Sequence, residues 1–321
     1  KFLIVGAVAG TAFLARGYSI DVSEPPSPAA GGDTPALLAA EVIHSGSDAG
    51  RSGGIEGGAF RARAFPGRGA VKTGETDPPA LRAARALAAD LETGEIYYAQ
   101  ETGRRWPLAS LTKLMTASLA RSAFAPGDAI SLLEDDFPPD GVHETSVLRA
   151  GERYRAEDLI TAMLLTSSNE AAEAFARAYG RDAFIAAMNS RAGEWGLHAT
   201  HFADPTGLHA ANQSTPEDIL ALAARIRRDD PDIFRITREE NAVVRELGAG
   251  TEKILRNLNL FAGGSRFLGG KTGYTDEASG NLLSLFEYHG RPIGIVVLGT
   301  DDRFGETELF LYWFAENYAP R

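Results

Sequence analysis

The chain has 321 residues, 44% of them hydrophobic and 23% charged, the composition of a globular protein with room for one large or two ordinary domains. A net charge of -11 and a sequence pI of about 5.1, with no run of Lys or Arg, exclude nucleic acid as a main partner. The absence of cysteine excludes disulfides, thiolate metal sites and a cysteine nucleophile.

The N-terminus opens with Lys1, an apolar run "FLIVGAVAGTAFLA" at residues 2–15, and Arg16. As a helix this run is roughly 21 Å long, short of the ~30 Å hydrocarbon core of a bilayer. Its length and flanking charges predict a signal-peptide core over residues 1–21, or a membrane anchor whose start is missing. Either implies export, and the second implies membrane attachment through the N-terminus. Residues 22–79 are rich in Gly, Ala, Ser and Pro and read as a flexible linker, with one short helix expected near 35–43. No internal repeat is present.

A folded domain is expected over residues 80–321. "ALAADL" at 86–91 and "IYYAQ" at 96–100 flank Thr93-Gly94 and predict a hairpin. Helices follow: "SLTKLMTASLA", then "AEDLITAMLL" and "EAAEAFARAYG" broken at "TSSN", then "RDAFIAAMNSRAGEWG" ending at Gly196. "STPEDILALAARIRR" carries a helix start, with Thr215 as N-cap and Pro216 at the first helical position. "RFLGGKTG", "NLLSLFEY" and "PIGIVVLG" return to strands, and "ETELFLYWFAENY" predicts a closing helix. Two strands, many helices, then three strands predict an α/β (α+β) domain. Its antiparallel sheet is shared by both chain ends, with a helical subdomain inserted between them.

Three short motifs occur in order: "SLTK" at 110–113, "SSN" at 167–169 and "KTG" at 271–273. Residues three apart on a helix share a face, so Lys113 can reach the Ser110 hydroxyl. A serine hydroxyl is a weak nucleophile until a base takes its proton. A lysine serves as that base only when burial or a positive neighbour, here Lys271, lowers its pKa. A helix N-terminus at Ser110 would favour the negative charge that develops during attack. Ser167 can relay a proton between Lys113 or Lys271 and a leaving group. Asn169 has a donor and an acceptor suited to a peptide amide. Lys271 and Thr272 can bind a carboxylate, Gly273 lets a substrate backbone lie close, and the Tyr274 N–H can pair with that of Ser110 as an oxyanion hole.

This ordered triple resembles that of the penicillin-binding proteins and serine β-lactamases. With "ADLETGEIYYAQETGRRWPLASLTKLMTA", "SVLRAGERYRAEDLITAMLLTSSNEAA", "THFADPTGLH" and "GGKTGYT", residues 80–318 resemble the low-molecular-mass D-alanyl-D-alanine carboxypeptidases. The resemblance implies a transpeptidase-type fold with a five-stranded antiparallel sheet flanked by helices. It implies acylation of Ser110 by peptidoglycan stem peptides ending in D-Ala-D-Ala, trapping by β-lactams, no cofactor, and a periplasmic or otherwise extracytoplasmic place of action. Many such carboxypeptidases carry a second, C-terminal β domain and a membrane-binding tail; neither is expected from this sequence, which keeps a crosslink-cleaving endopeptidase open.

Other readings are weaker. "HATHFADPTGLH" gathers His198, His201, Asp204 and His209, but nothing fixes a ligand geometry, so no metal is expected. No Gly-x-Ser-x-Gly elbow supports a Ser-His-Asp hydrolase. A β-lactamase would need a carboxylate for fast deacylation, and no Glu-x-x-Leu-Asn segment lies between Asn169 and Lys271. A catalytically silent wall-binding protein would not need the reactive residues. "LRNLN" at 255–259 resembles the family's approach to the Lys-Thr-Gly strand, and Arg256 and Arg303 are expected to add positive charge near the substrate carboxylate. A second Lys-Thr-Gly, at 72–74, precedes the serine, lies in the expected linker and is followed by Pro78-Pro79, so it is read as coincidental.

Overall fold

A computed structural model describes residues 70–137 and 147–320. The expected signal segment, most of the linker and the helix near 35–43 lie outside the described residues.

The first hairpin forms where its turn residues place it, from β1 (Arg85–Asp90) and β2 (Ile96–Gln100). The Asp90 side chain accepts the N–H groups of Glu92 and Thr93 and so holds the turn. A 3₁₀ turn at Ala109–Thr112 leads into α1 (Lys113–Ala123), followed by α2 (Ala156–Leu165), α3 (Asn169–Tyr179) and α4 (Arg181–Glu194). α5 (Pro216–Asp229) starts as expected, with the Thr215 hydroxyl accepting the Asp218 N–H, and α6 (Asp232–Arg238) follows. A hairpin of Asn241–Arg245 and Glu252–Arg256 separates α6 from the last three long strands. These are β3 (Phe267–Thr275), β4 (Ser279–Tyr288) and β5 (Arg291–Thr300), and α7 (Arg303–Asn317) comes after them.

The five long strands form one antiparallel sheet in the order β3-β4-β5-β1-β2, so strands from early and late in the described residues build it and the helices α1 to α6 are inserted between. Side chains alternate across this sheet with period two. Leu87, Leu283, Leu285, Val296 and Leu298 face a core shared with the inserted helices. Ala86, Ala88, Phe286, Ile293, Ile295 and Val297 face a second core against Phe310, Trp313 and Phe314 of α7. The α+β fold expected from the element order is the fold found.

The expected boundary at residue 80 is too late. Ala70–Lys72 is a strand paired antiparallel with Tyr318–Pro320. Beyond it the Thr73 and Gly74 N–H groups donate to the Asn317 carbonyl, and Trp313 Nε1 donates to the Thr76 carbonyl at 3.1 Å. Residues 70–76 are thus held along the C-terminal end of α7. The linker reading failed here because so short and exposed a strand has no apolar alternation, and its hydrogen bonds go to the far end of the chain.

Candidate active site

The three motifs meet where the inserted helices join the sheet. The α-helix begins at Lys113, so Ser110 sits in the 3₁₀ turn before α1 rather than in the helix itself. In a 3₁₀ turn residues i and i+3 eclipse, which brings Lys113 Nζ to 2.9 Å from Ser110 Oγ. Ala109, just before the serine, has a φ of 47°, a left-handed conformation that non-glycine residues seldom adopt. α2 stops at the Thr-Ser-Ser-Asn break. Ser167 takes a φ of 60°, and the Ser168 hydroxyl caps α3 by accepting the Ala171 N–H. This break presents Ser167 and Asn169 to the cleft.

Two lysines organise the site. Lys113 is fully buried, and its Nζ contacts three oxygens: Ser110 Oγ, Asn169 Oδ1 at 2.8 Å and the Thr206 carbonyl at 2.6 Å. Neither Asn169 Oδ1 nor a carbonyl can donate a proton. In a neutral Lys113 the two N–H bonds therefore go to these acceptors and the lone pair faces the serine hydroxyl. Lys271, 2% exposed, donates to Ser167 Oγ at 3.0 Å and to the Thr272 carbonyl at 2.9 Å.

Burial pushes the Lys113 pKa down to about 7, against the opposing pull of the Asp204, Glu170 and Glu173 carboxylates. Burial also holds Lys271 well below its usual value, helped by the positive charges of Lys113 and Arg303. The sequence reading assigned the fall at Lys113 partly to Lys271. Desolvation is instead its leading cause, and the repulsion between the two lysines weighs on Lys271.

Gly273 brings the β3 strand against the serine. A Cβ there would lie 3.0 Å from the Leu108 carbonyl oxygen and 3.2 Å from the Ser110 nitrogen. Gly273→Ala is accordingly expected to push β3 away and slow acylation by a fluorescent penicillin about 10²-fold with little change in melting temperature; a variant that labels at the wild-type rate would show that the close approach is dispensable. Thr272 is buried beside Lys271, and the Tyr274 side chain is exposed at the cleft edge.

All eight expected site residues lie along this seam, six of them in two hydrogen-bonded groups. Ser110, Lys113 and Asn169 form one; Ser167, Lys271 and Thr272 form the other. Asn169 differs from expectation in that its oxygen is engaged by Lys113. The Arg303 guanidinium donates to the Gly273 carbonyl at 3.1 Å, and its positive charge acts on Lys271. Arg256 ends the hairpin strand Glu252–Arg256 with an exposed side chain.

Two contributors were missed. One is Thr206, which acts through a backbone carbonyl. The other is the fully buried Asn281, whose amide donates to the Pro107 and Leu108 carbonyls while its oxygen accepts the Gly299 N–H, fastening the serine turn to β4 and β5. Of His198, His201, Asp204 and His209, only Asp204 is buried, and its oxygens are occupied by backbone and side-chain donors.

The family described as D-alanyl-D-alanine carboxypeptidase, Peptidase_S11, matches residues 72–302. The chain belongs to this family. It is similar to the D-alanyl-D-alanine endopeptidase of Pseudomonas aeruginosa, with 30% identity over 237 residues, 70% of this chain and 73% of that protein. It is also similar to the D-alanyl-D-alanine carboxypeptidase DacA of Escherichia coli, with 30% identity over 268 residues, 78% of this chain and 66% of that protein. Among solved structures it resembles Penicillin-Binding Protein D2 of Listeria monocytogenes in its ampicillin-bound form, with a TM-score of 0.64 and 28% identity over 73% of this chain and 98% of that one. The D-alanyl-D-alanine carboxypeptidase family and the penicillin-binding-protein fold fit the cleft just described, and the chain is a serine DD-peptidase.

Proposed function

We propose that this DD-peptidase removes the terminal D-Ala from peptidoglycan stem peptides through an acyl-enzyme on Ser110. The observation that carries this reading is the contact of Lys113 Nζ, buried and with a pKa near 7, with the Ser110 hydroxyl. Neutral Lys113 takes the Ser110 proton as Oγ attacks the carbonyl of the penultimate D-Ala. The Ser110 and Tyr274 N–H groups receive the oxyanion. The C–N bond then breaks, and the departing D-Ala amine takes the Ser167 hydroxyl proton, which Lys113 replaces with the proton it took from Ser110, so that Lys113 is neutral again. Asn169 holds the substrate amide, and Thr272 with Lys271 receives the terminal carboxylate. Water then attacks the Ser110 ester, with Lys113 again as base. A β-lactam enters the same route, but its opened ring stays attached and blocks the water, so it inhibits covalently.

A second reading keeps this chemistry and changes the leaving group. If the departing amine belongs to a neighbouring stem peptide, the enzyme is a crosslink-cleaving endopeptidase. The Pseudomonas aeruginosa relative, of which this chain covers 73%, carries that name. Muropeptides incubated with the enzyme and analysed by mass spectrometry separate the two: loss of one D-Ala marks the carboxypeptidase, dimers becoming monomers the endopeptidase. Ser110→Ala is expected to abolish both products and all penicillin labelling; labelling that persists in this variant would remove Ser110 as the nucleophile.

The place of action follows from the substrate, which lies outside the bacterial cytoplasmic membrane. Among the described residues no helix is long and apolar enough to cross a membrane. The apolar run at residues 2–15 is proposed to direct export, and membrane attachment through it is the alternative to its removal.

A further inference from the structure

The serine turn is gripped from two sides. Gly273 covers one side. On the other lies the turn of residues 204–207, where Gly207 has a φ of 90° and a Cβ would overlap the Ala109 carbonyl. Two successive carbonyls of this turn point at α1: Pro205 accepts the Thr116 hydroxyl at 2.6 Å, and Thr206 accepts Lys113 Nζ. Something must hold the backbone in so tight a shape, and the donors around it converge on one carboxylate.

Asp204 is 6% exposed. Its Oδ1 accepts the Thr206 N–H at 2.7 Å, the Thr206 hydroxyl at 2.8 Å, the Gly207 N–H at 2.6 Å and Asn212 Nδ2 at 3.0 Å. Its Oδ2 accepts the His209 N–H at 2.7 Å. Asn212, which is itself fully buried, also accepts the Asp204 N–H, and its carbonyl takes the Leu108 N–H at 2.8 Å, two residues before the nucleophile. We propose that Asp204 is a positioning residue for the acylation step: its carboxylate folds the 204–207 turn so that the Thr206 carbonyl closes one side of Lys113 and leaves the amine lone pair directed at Ser110. This rests on the reading of Lys113 as the general base.

Asp204 also bears on Lys113 through its charge. Burial is the largest influence and opposes that charge, but the hydrogen bonds from Gly207, His209 and Thr206 together outweigh it and hold the carboxyl below its ordinary value, so it is an anion at neutral pH. The charged groups acting on Lys113 are Asp204 from this turn and Glu170 and Glu173 from α3, while the repulsion with Lys271 of β3 falls on Lys271. Of these, Asp204 both raises the lysine pKa and shapes its surroundings.

Charge and shape can be separated. Asp204→Asn keeps an oxygen at the Oδ1 position, where four of the five donors meet, and removes the charge. Asp204→Ala removes both. The rate of acylation by a fluorescent penicillin, measured as a function of pH, reads each. For Asp204→Asn the plateau should stay within about tenfold of wild type, while the acid limb moves to lower pH by about one unit because Lys113 loses a stabilising anion. For Asp204→Ala the plateau should fall about 10²-fold as the Thr206 carbonyl leaves its place. An Asp204→Asn acid limb coincident with wild type overturns the proposal, as does an Asp204→Ala plateau at the wild-type rate. If the alanine variant does not fold, the asparagine limb alone decides, displaced in favour and coincident against. A wild-type protein that penicillin never acylates would instead overturn the DD-peptidase reading, before any variant is compared.

Discussion

Lys113→Met is expected to lower the acylation rate by about 10³-fold or more, the scale of losing a positioned base, while the protein still folds. The wild-type rate should fall about tenfold per pH unit below a midpoint near 7, because only the neutral amine can take the serine proton. The same shift makes a stability prediction. The folded pKa lies below the ordinary lysine value of 10.5, so between about pH 7 and 10.5 the unfolded state binds more protons. Stability of the wild type relative to Lys113→Met should therefore rise with pH across that window, by about 1.4 kcal/mol per unit, and be flat below it. Chemical denaturation of both proteins at several pH values checks this. A difference that stays constant from pH 7 upward would mean that Lys113 is not buried as a lowered base.

Lys271→Ala and Lys72→Ala should give opposite results. The first removes the buried amine that donates to Ser167 Oγ, and should reduce penicillin labelling about 10²- to 10⁴-fold. The second truncates an exposed side chain and should leave labelling within about twofold of wild type. The two lysines stand in identical tripeptides, and α7 separates them. Arg303 at its start bonds the Gly273 carbonyl, Asn317 at its end receives the Thr73 and Gly74 N–H groups, and a helix of that length spans about 21 Å. Labelling lost in Lys72→Ala and kept in Lys271→Ala would reverse the assignment.

What the sequence revealed was what local chemistry or motif order encodes. Thr93-Gly94, Thr215-Pro216 and the break at Ser167 each set an element boundary within a few residues, and each is found there. The ordered Ser-x-x-Lys, Ser-x-Asn and Lys-Thr-Gly motifs named the side chains that meet at the seam. The rest depended on contacts made by groups without a residue signature. The Thr206 carbonyl is a backbone atom that any residue supplies, and only the Asp204 turn aims it. Asn281 sits in an apolar strand as one polar letter, and nothing nearby in sequence shows that its amide holds the serine turn. The charge of Arg303 is visible in the sequence, but its bond to the Gly273 carbonyl depends on where α7 starts.

The copy of Lys-Thr-Gly at residues 72–74 also has a place for its glycine. A Cβ on Gly74 would lie 2.2 Å from Asn317 Oδ1, so a larger residue there would displace the end of α7. Selection can thus retain both glycines for unrelated reasons, one for access to a nucleophile and one for docking a helix. A comparison of homologues that scored only residue identity would give the two tripeptides equal weight, and the lysine is the position that would distinguish an inherited reaction from an inherited joint.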